Sequence, residues 1–243
     1  MPSERKRVSG RIGLWLLQAV LVAGAAAVHL GADPVVPEPG TSAEAELTRE
    51  VASQTTALRP GVLELALQAV SCASRAFDAG RPTLLTVIDY SVPSTDVRLW
   101  VVDLVTRRVL FQEAVAHGRN TGDNHARWFS NRPGSNQSSL GLFLTGDTYV
   151  GRNGYSMRLH GLEPGVNDRA VDRAIVMHGA PYADPGPARS QGRLGRSQGC
   201  PAVRPAVARP LIDTIKGGSF VFAYYPDDDW LARSRYLTCR STT

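Results

Sequence analysis

The sequence predicts a mainly β domain with a few helices, preceded by one helix. From residue 83 onward, short apolar runs alternate with turns rich in Gly and Pro, a pattern typical of strands. Apolar residues at helical spacing are concentrated in two segments, one before the first strand and one near the C-terminus. The chain has 243 residues and 43% of them are hydrophobic, so it can bury one sizeable core.

Residues 1–31 are predicted to be a secretory signal peptide or an N-terminal membrane anchor. A cluster of cations precedes an apolar stretch from Ile12 to Leu30, which contains several alanines. Residues 12–32 are also just long enough to span a bilayer, so cleavage and anchoring both stay open. In either case we expect the rest of the chain in the periplasm, and the inner membrane is a partner only if this segment stays uncleaved.

The distribution of charge argues against a nucleic-acid partner. The formal net charge is +5, but four of the 27 Lys and Arg residues and only one of the 22 acidic residues lie in residues 1–31. The rest of the chain is therefore close to neutral, whereas domains that bind nucleic acid are usually strongly basic.

A linker and a helix are predicted between the N-terminal segment and the β-rich region. Residues 32–58 are rich in Pro, Ala and Glu, which is typical of an extended linker. Residues 59–80 have apolar residues at helical spacing and end in a glycine, which indicates an amphipathic helix packed on the main domain. The main domain is predicted over residues 81–226, and residues 227–243 are a C-terminal tail.

The β-rich region divides into short strands. Residues 97–104 and 108–115 are predicted to form a hairpin, because Asp103 and Thr106 supply the turn between them. A helix is predicted over residues 205–215, followed by two glycines. The other predicted strands cover residues 84–90, 141–149, 155–159, 174–178 and 219–225.

Cys200 is the first candidate for chemistry, within the segment Ser197-Gln198-Gly199-Cys200-Pro201-Ala202. A thiolate is a nucleophile for carbonyl carbon, and a preceding glycine permits a tight turn. In such a turn, the amides of Gln198, Gly199 and Cys200 can converge on a developing oxyanion. The alternative is a buried structural thiol.

His178 is the candidate base for this thiol. It ends an apolar run over residues 174–178, so a strand would hold the imidazole on a rigid element, and the loop before Cys200 is long enough to fold back. His117 and His160 also precede glycines and are the alternative bases, although each is expected to be a structural histidine. No closely spaced pair of metal ligands occurs, so neither a metal nor another cofactor is expected.

The remaining candidates concern cross-linking and substrate contacts. The chain has three cysteines, and Cys72 with Cys239 can form a disulfide that leaves Cys200 free; otherwise the two are a helix-core residue and a tail thiol. Arg193 and Arg196 lie in a stretch without acids and are candidates for ligand contacts, and otherwise belong to a solvated loop. Tyr182 is a candidate for the wall of the cleft. Three tryptophans are expected to be packing residues rather than sugar platforms: Trp100, Trp128 and Trp230.

The two central motifs resemble those of the L,D-transpeptidase catalytic domain family. Met177-His178-Gly179 and Gly195-Arg196-Ser197-Gln198-Gly199-Cys200-Pro201-Ala202 are similar to the family's His-Gly step and its Ser-x-Gly-Cys signature. The resemblance is closer still to the murein L,D-transpeptidase catalytic-domain-like branch of proteobacteria. It covers roughly residues 80–226, and the other segments that carry it are Ala116-His117-Gly118, Phe129-Ser130-Asn131, Ser138-Ser139-Leu140-Gly141-Leu142-Phe143, Arg158-Leu159-His160-Gly161-Leu162-Glu163 and Ile215-Lys216-Gly217-Gly218.

This resemblance implies a β-sandwich-like catalytic domain that acts on peptidoglycan stem peptides, both as donor and as acceptor. Cys200 would be the nucleophile and His178 the general base, with Gly199 contributing an oxyanion N–H from the turn of residues 197–199. The residues that would border the substrate are Ser197, Gly179, Arg193, Arg196 and Tyr182. The thioester formed on Cys200 would pass to an amine of a second stem, giving an L,D crosslink.

The sequence departs from the family pattern at two positions. The residue before the Gly-Cys pair is commonly His and here is Gln198, whose amide cannot shuttle protons near pH 7. Many members carry Arg two residues after the cysteine, where this chain has Ala202, and the nearest arginine is Arg204. Substrate recognition is therefore expected to differ, and two alternatives stay open: a hydrolytic L,D-carboxypeptidase or amidase with the same acyl-enzyme, and a non-catalytic peptidoglycan-binding domain.

Overall fold

The computed structural model describes residues 41–76 and 82–239. The predicted signal peptide or anchor, residues 1–31, lies outside the described residues. Within the described part of the chain, no helix has both the length and the apolar character needed to cross a membrane.

Two helices precede the first strand. Helix α1 spans Thr41–Gln54 and helix α2 spans Pro60–Ala76. The amphipathic helix predicted over residues 59–80 corresponds to α2, which buries one apolar face. The prediction of an extended linker differs from the structure over residues 41–54, because α1 is helical there and packs against α2.

Helix α1 is held by contacts that its composition does not reveal. Leu47 and Val51 are buried in the main core. At the end of the helix, the Gln54 side chain donates to the carbonyl of Arg107 at 2.7 Å and accepts from the amide of Val109 at 2.9 Å. These bonds satisfy the exposed backbone of an edge strand, so the tertiary structure makes this segment part of the domain.

The prediction of a mainly β domain is confirmed. Eight strands form one sheet in the order β3-β2-β1-β8-β4-β5-β6-β7, and the pairs β1–β8 and β6–β7 are parallel while the others are antiparallel. The strands are β1 Leu84–Asp89, β2 Leu99–Asp103, β3 Arg108–Glu113, β4 Gly141–Gly151, β5 Gly154–Gly161, β6 Val176–Gly179, β7 Ala202–Val203 and β8 Phe220–Tyr224.

The sheet curls into a nearly closed barrel. Beyond β3, the amide of Ala116 donates to the carbonyl of Ala202 at 2.8 Å, and this bridge joins the first edge of the sheet to its last strand. Gly118 and Ser197 form a second bridge next to it. Because strand β7 follows Cys200 directly, the closure of the barrel places the cysteine at this junction.

The β2–β3 hairpin forms as predicted. The Asp103 carboxylate accepts from the amides of Val105 and Thr106 at 2.9 and 2.8 Å, which is the turn chemistry expected of Asp. Helix α4 spans Pro205–Ile215, the bounds predicted for it, and it packs beneath β6.

Three short helices were not predicted. A 3₁₀ turn at Pro181–Ala183 leads into helix α3, Pro185–Gln191, within the loop between β6 and Cys200. Helix α5, Asp228–Arg233, lies in the predicted C-terminal tail and buries Trp230. The structure therefore assigns residues 227–239 to the domain, because an aromatic side chain anchors them in the core.

Cys72 and Cys239 form a disulfide, with their Cα atoms 6.3 Å apart. This pairing was one of two alternatives left open by the sequence, and it leaves Cys200 as the free cysteine. The bond links α2 to the C-terminal segment across 167 residues, so it ties both ends of the domain together.

Candidate active site

Cys200 lies at the end of a tight turn that is braced by Ser197. The Ser197 hydroxyl donates to the carbonyl of Cys200 at 2.6 Å and accepts from the amide of Gly199 at 3.0 Å. Gly199 has φ +123°, and a side chain there would collide with the carbonyl of Gln137. The turn therefore requires glycine both for its backbone conformation and for its close packing.

The Cys200 thiol is almost fully buried, with 7% of the residue exposed. Its Sγ lies 3.5 Å from the carbonyl oxygen of Ala174 and 3.5 Å from the amide nitrogen of Val176. Burial raises the pKa of the thiol, while the Val176 amide and the charge of Arg173 oppose that rise. Ala174 adopts a left-handed φ of +52°, a strained conformation that lets its carbonyl face the thiol.

His178 is held on strand β6 between two neighbouring strands. It pairs with Ser156 of β5 and Ala202 of β7. Its Nδ1 lies 3.0 Å from the carbonyl oxygen of Gly179, which can only accept, so Nδ1 carries the proton and Nε2 keeps its lone pair. Burial lowers the pKa of His178, and the bond to Gly179 opposes that effect. The imidazole is therefore neutral near pH 7, the form that a general base needs.

Cys200 and His178 open onto the same cleft, which has a volume of about 400 Å³. Among the described residues the two side chains form no hydrogen bond with each other, and the thiol contacts Ala174 and Val176 instead. A rotation of the thiol towards His178 is therefore needed before proton transfer. Four other predicted residues also line this cleft: Gln198, Ser197, Arg196 and Tyr182.

Tyr182 and Arg196 both line the cleft, but they differ in charge and in hydrogen bonding. Tyr182 is 39% exposed, and burial together with the nearby Cys200 raises its pKa to about 12, so the phenol keeps its proton. Arg196 donates to Asp123 at 2.8 Å and to the carbonyls of Arg119 and Gly122 at 3.2 Å. Its guanidinium is thus partly committed to the neighbouring loop.

The oxyanion donors differ from the prediction. The Gly199 amide is directed to Ser197, so it does not face the cleft. The Gln198 amide has no hydrogen-bond acceptor among the described residues, and the amide of Cys200 lies against its own thiol. These two amides are the available donors beside the sulfur.

Three predicted substrate contacts have other roles in the structure. Gly179 faces helix α4, where an added Cβ would lie 2.8 Å from the Cβ of Ala208, and its carbonyl orients His178. Arg193 lies outside the cleft and donates to the carbonyl of Leu194. The Ser197 hydroxyl has both of its contacts within the turn, so it shapes the site and has no free group for a ligand.

Sequence reasoning missed Arg173. This residue lines the cleft and donates to the carbonyls of Ser130 and Gln137 and to the hydroxyls of Ser135 and Ser139. It therefore braces the loop before β4 and places a positive charge near Cys200. An arginine in a loop has no distinctive pattern, so the sequence carried no signal for this role.

Ser138 was also missed as a support of the turn. Its hydroxyl donates to the carbonyl of Gly199 at 3.0 Å and accepts from the amide of Gly118 at 3.0 Å. It is 1% exposed and links the closing segment of the barrel to the turn that carries Cys200.

Neither of the two alternative bases, His117 and His160, lines the cleft. His117 is buried and accepts at Nδ1 from Arg98 at 2.8 Å, while Nε2 donates to the carbonyl of Gly122. Burial, with the charge of Arg98, lowers the pKa of His117 to about 4. His160 is exposed on β5 and lines no part of the cleft. No group of three His, Cys, Asp or Glu side chains in the described ranges is arranged to hold a metal ion.

The residue two positions after Cys200, where the family pattern commonly has Arg, lies in strand β7 of the barrel. Ala202 is fully buried between His178 and Ala116. Arg204 pairs with Glu113 through two hydrogen bonds of 2.9 and 2.8 Å, away from the cleft. Two arginines outside the motif line the cleft, Arg152 and Arg173. Arg152 is exposed on the β4–β5 turn.

Comparison with known proteins supports the resemblance seen in the motifs. A model of the L,D-transpeptidase catalytic domain family matches residues 54–224, which is more than half of the chain. No curated protein matches the chain.

Solved structures of L,D-transpeptidases are similar to the chain at low identity. An L,D-transpeptidase from Mycobacterium smegmatis shares 15% identity, with 59% of each chain covered and a TM-score of 0.37. L,D-transpeptidase 1 of Mycobacterium tuberculosis shares 13%, covering 59% of this chain and 62% of that one, with a TM-score of 0.34. The L,D-transpeptidase of Stackebrandtia nassauensis shares 13%, covering 74% and 77%, with a TM-score of 0.37. The chain thus spans about three fifths of the mycobacterial structures.

Proposed function

Because the chain belongs to the L,D-transpeptidase catalytic domain family, we propose that it is an exported cysteine acyltransferase that forms L,D crosslinks between peptidoglycan stem peptides. The observation that carries this proposal is the shared cleft onto which Cys200 and a neutral His178 open. Two backbone amides beside the sulfur supply the donors that acyl transfer requires.

Acylation begins when the Cys200 thiol passes its proton to Nε2 of His178. The sulfur bonds to the carbonyl carbon of the L-centre of the diamino acid, and the oxyanion accepts from the amides of Gln198 and Cys200. The C–N bond to the terminal D-residue then breaks, and its amine takes the proton from His178. The product is a thioester on Cys200.

Transfer repeats these steps in reverse. An amine of a second stem attacks the thioester carbonyl and gives its proton to His178. The C–S bond breaks, an amide bond joins the two stems, and the sulfur recovers its proton from His178. His178 therefore acts as base and then acid in each half-reaction.

The charges around the cleft favour an anionic substrate. Arg152, Arg173 and Arg196 line the cleft, and guanidinium groups bind carboxylates in a bidentate manner. The terminal nitrogens of Arg173 already donate to the loop before β4, so this residue contributes its charge. Stem peptides carry several carboxylates, so Arg152 and Arg196 are the proposed contacts. They take the place of the arginine that is absent at Ala202.

Two observations support export to the periplasm. Residues 1–31 have the cationic and apolar pattern of a secretory segment. The Cys72–Cys239 disulfide is of a kind that persists in oxidising compartments.

Covalent capture tests the proposal. The full chain is incubated with a carbapenem, which acylates cysteine acyltransferases of this family, and the intact mass is measured. We expect a mass increase equal to one carbapenem on the wild type and no increase on Cys200→Ala. An unmodified wild type, or an adduct that persists in Cys200→Ala, would refute the cysteine mechanism.

The acceptor is identified by the products. Incubation with disaccharide-tetrapeptides should give crosslinked dimers that carry an L,D bond. Tripeptides without dimers would indicate the hydrolytic L,D-carboxypeptidase, and release of a group bound to the stem would indicate an amidase. Binding without any covalent change would indicate a peptidoglycan-binding domain.

A further inference from the structure

A second groove, of about 500 Å³, adjoins the candidate active site. One wall is formed by the segment of residues 118–128, called here the groove loop. The groove is lined mostly by charged and amide side chains, together with one large aromatic residue, Trp128.

Trp128 is unlike the other tryptophans of the described chain. It is 63% exposed, whereas Trp100 and Trp230 are buried as predicted. The prediction that Trp128 packs in the core is therefore wrong. Its indole has no aromatic or cationic partner among the described residues, so one face of the ring is open to a ligand.

The groove loop holds the backbone of Trp128 in place. The buried Thr121 accepts through its carbonyl from the amides of Arg127 and Trp128, at 2.7 and 3.0 Å. Arg196 binds the same loop through the carbonyls of Arg119 and Gly122. The backbone that presents the indole is therefore ordered before a ligand binds, which limits the entropy lost on binding.

The charges of the groove are only partly paired. The Asp123 carboxylate is bound by Arg196 at 2.8 Å and approached by Arg193 at 3.9 Å. The guanidinium groups of Arg119 and Arg127 make no ion pair or hydrogen bond within the described residues. Both residues are exposed and line the groove, so their donors are free for oxygen acceptors.

The groove adjoins the cleft that holds Cys200. Arg196 lines both, and the amide of Arg119 donates to the carbonyl of Ser197 at 2.8 Å. In the proposed reaction three residues of the donor stem lie between the attacked carbonyl and the glycan. An extended tripeptide spans about 10 Å, so the glycan must bind close to the site.

We propose that the groove binds the N-acetylated sugars of the glycan strand that carries the donor stem. One sugar ring stacks on the indole of Trp128, and the guanidinium groups of Arg119 and Arg127 donate to acetamido oxygens and to the first carboxylate of the stem. This inference rests on the proposed function, since it concerns the same substrate.

Two substrates that differ only in the glycan test the inference. The rate of stem-peptide cleavage by the full chain is measured on a disaccharide-tetrapeptide and on the free tetrapeptide. We expect Trp128→Ala to lower kcat/KM for the disaccharide-tetrapeptide about tenfold more than kcat/KM for the free peptide. Trp128→Phe should recover most of the difference, and Val105→Ala, which trims an exposed apolar residue of the β2–β3 turn, should change neither rate.

A binding measurement separates this inference from the proposed function. A tetrasaccharide of N-acetylglucosamine is titrated into Cys200→Ala by calorimetry, with and without Trp128→Ala. Sugar binding that requires Trp128 supports the groove even if the wild type cleaves neither substrate, a result that would overturn the proposed function alone. Cleavage of both substrates with equal losses in Trp128→Ala, or sugar binding that survives Trp128→Ala, would overturn the inference alone.

Discussion

The turn of residues 197–200 and the groove loop of residues 118–128 are hydrogen-bonded neighbours that use their polar groups in opposite ways. In the turn, the Ser197 hydroxyl and the Gly199 amide are satisfied internally, and Cys200 is buried. In the groove loop, the guanidinium groups of Arg119 and Arg127 have no partner in the described part of the chain, and Trp128 is exposed. The difference teaches that the candidate nucleophile sits in a turn whose polar groups are bonded within the protein, while the surface beside it keeps donors that have no acceptor among the described residues.

The largest expected effect concerns the base on the rigid side of this comparison. We expect His178→Ala to lower the rate of acylation of Cys200 by about 10³-fold, since general base catalysis contributes about 10²–10⁴-fold. The rate of carbapenem acylation at pH 7 measures this loss. Wild-type activity should also fall as the pH drops through the folded-state pKa of His178, which burial lowers below the usual histidine value, because protonation removes the base.

His160→Ala serves as the matched control for this substitution, since His160 is exposed outside the cleft. It should acylate at the wild-type rate. Loss of activity in His160→Ala with a fully active His178→Ala would show that the base was assigned wrongly.

The second prediction concerns His117, which connects the two regions. Its carbonyl accepts from the amide of Ser197, and its Nε2 donates to Gly122 of the groove loop. Its pKa is about 4 in the folded protein, below the usual value of 6.5, so the unfolded chain binds the proton more tightly between these values. The neutral His117 therefore contributes about 3 kcal/mol to the free energy of unfolding above pH 6.5, and this contribution is lost as the pH falls towards 4.

Urea unfolding of the wild type and of His117→Gln at pH 7 and pH 4.5 measures this contribution. The loss of unfolding free energy on acidification should be smaller in His117→Gln, because the carboxylates titrate in both proteins and only the histidine differs. If His117→Gln does not fold, the imidazole of the wild type is titrated by NMR instead. Equal acid losses, or a titration near pH 6.5, would contradict the prediction.

The smallest expected effect tests how firmly the turn is positioned. Ser138→Ala removes the bond to the Gly199 carbonyl and leaves the Gly118 amide unsatisfied. We expect stability to fall by about 1–3 kcal/mol and the acylation rate to fall about tenfold, with little change in KM because Ser138 does not line the cleft.

Thr145→Val is the control for Ser138→Ala. The Thr145 hydroxyl is buried within β4 and bonded to the carbonyl of Ile215 at 2.7 Å. It should lose comparable stability and keep the wild-type acylation rate. A similar fall in rate for both variants would mean that Ser138 acts through stability rather than by positioning Cys200.

Much of the fold could be predicted because local patterns and tertiary contacts agree. The β2–β3 hairpin follows from Asp103 and its turn, and α4 has the predicted bounds because its apolar face and flanking glycines specify it. Helix α1 could not be predicted, since its composition resembles a linker and its stability comes from Leu47, Val51 and the Gln54 bonds to an edge strand.

Some residues of the candidate site could be predicted and others could not, again because only some of them have a local pattern that reveals their role. Cys200 and His178 could be proposed as nucleophile and base because their residue types and glycine neighbours are typical of this chemistry. Arg173 and Ser138 were missed because an arginine in a loop and a serine before a strand have no distinctive pattern, and only their partners reveal what they do. Ser197 and Gly179 were assigned to the substrate because sequence proximity does not show which way a group faces.

The sequence by itself indicated the candidate nucleophile and base, the family, and the positions of most strands along the chain, because these depend on residue type and on local periodicity. Only the tertiary structure decided which amides remain free beside the sulfur, that Cys72 joins Cys239, and that Trp128 is exposed rather than buried. The physical reason is that hydrogen-bond partners, solvent exposure and disulfide distances depend on segments far apart in the chain, which meet only when the sheet closes at Ala116 and Ala202.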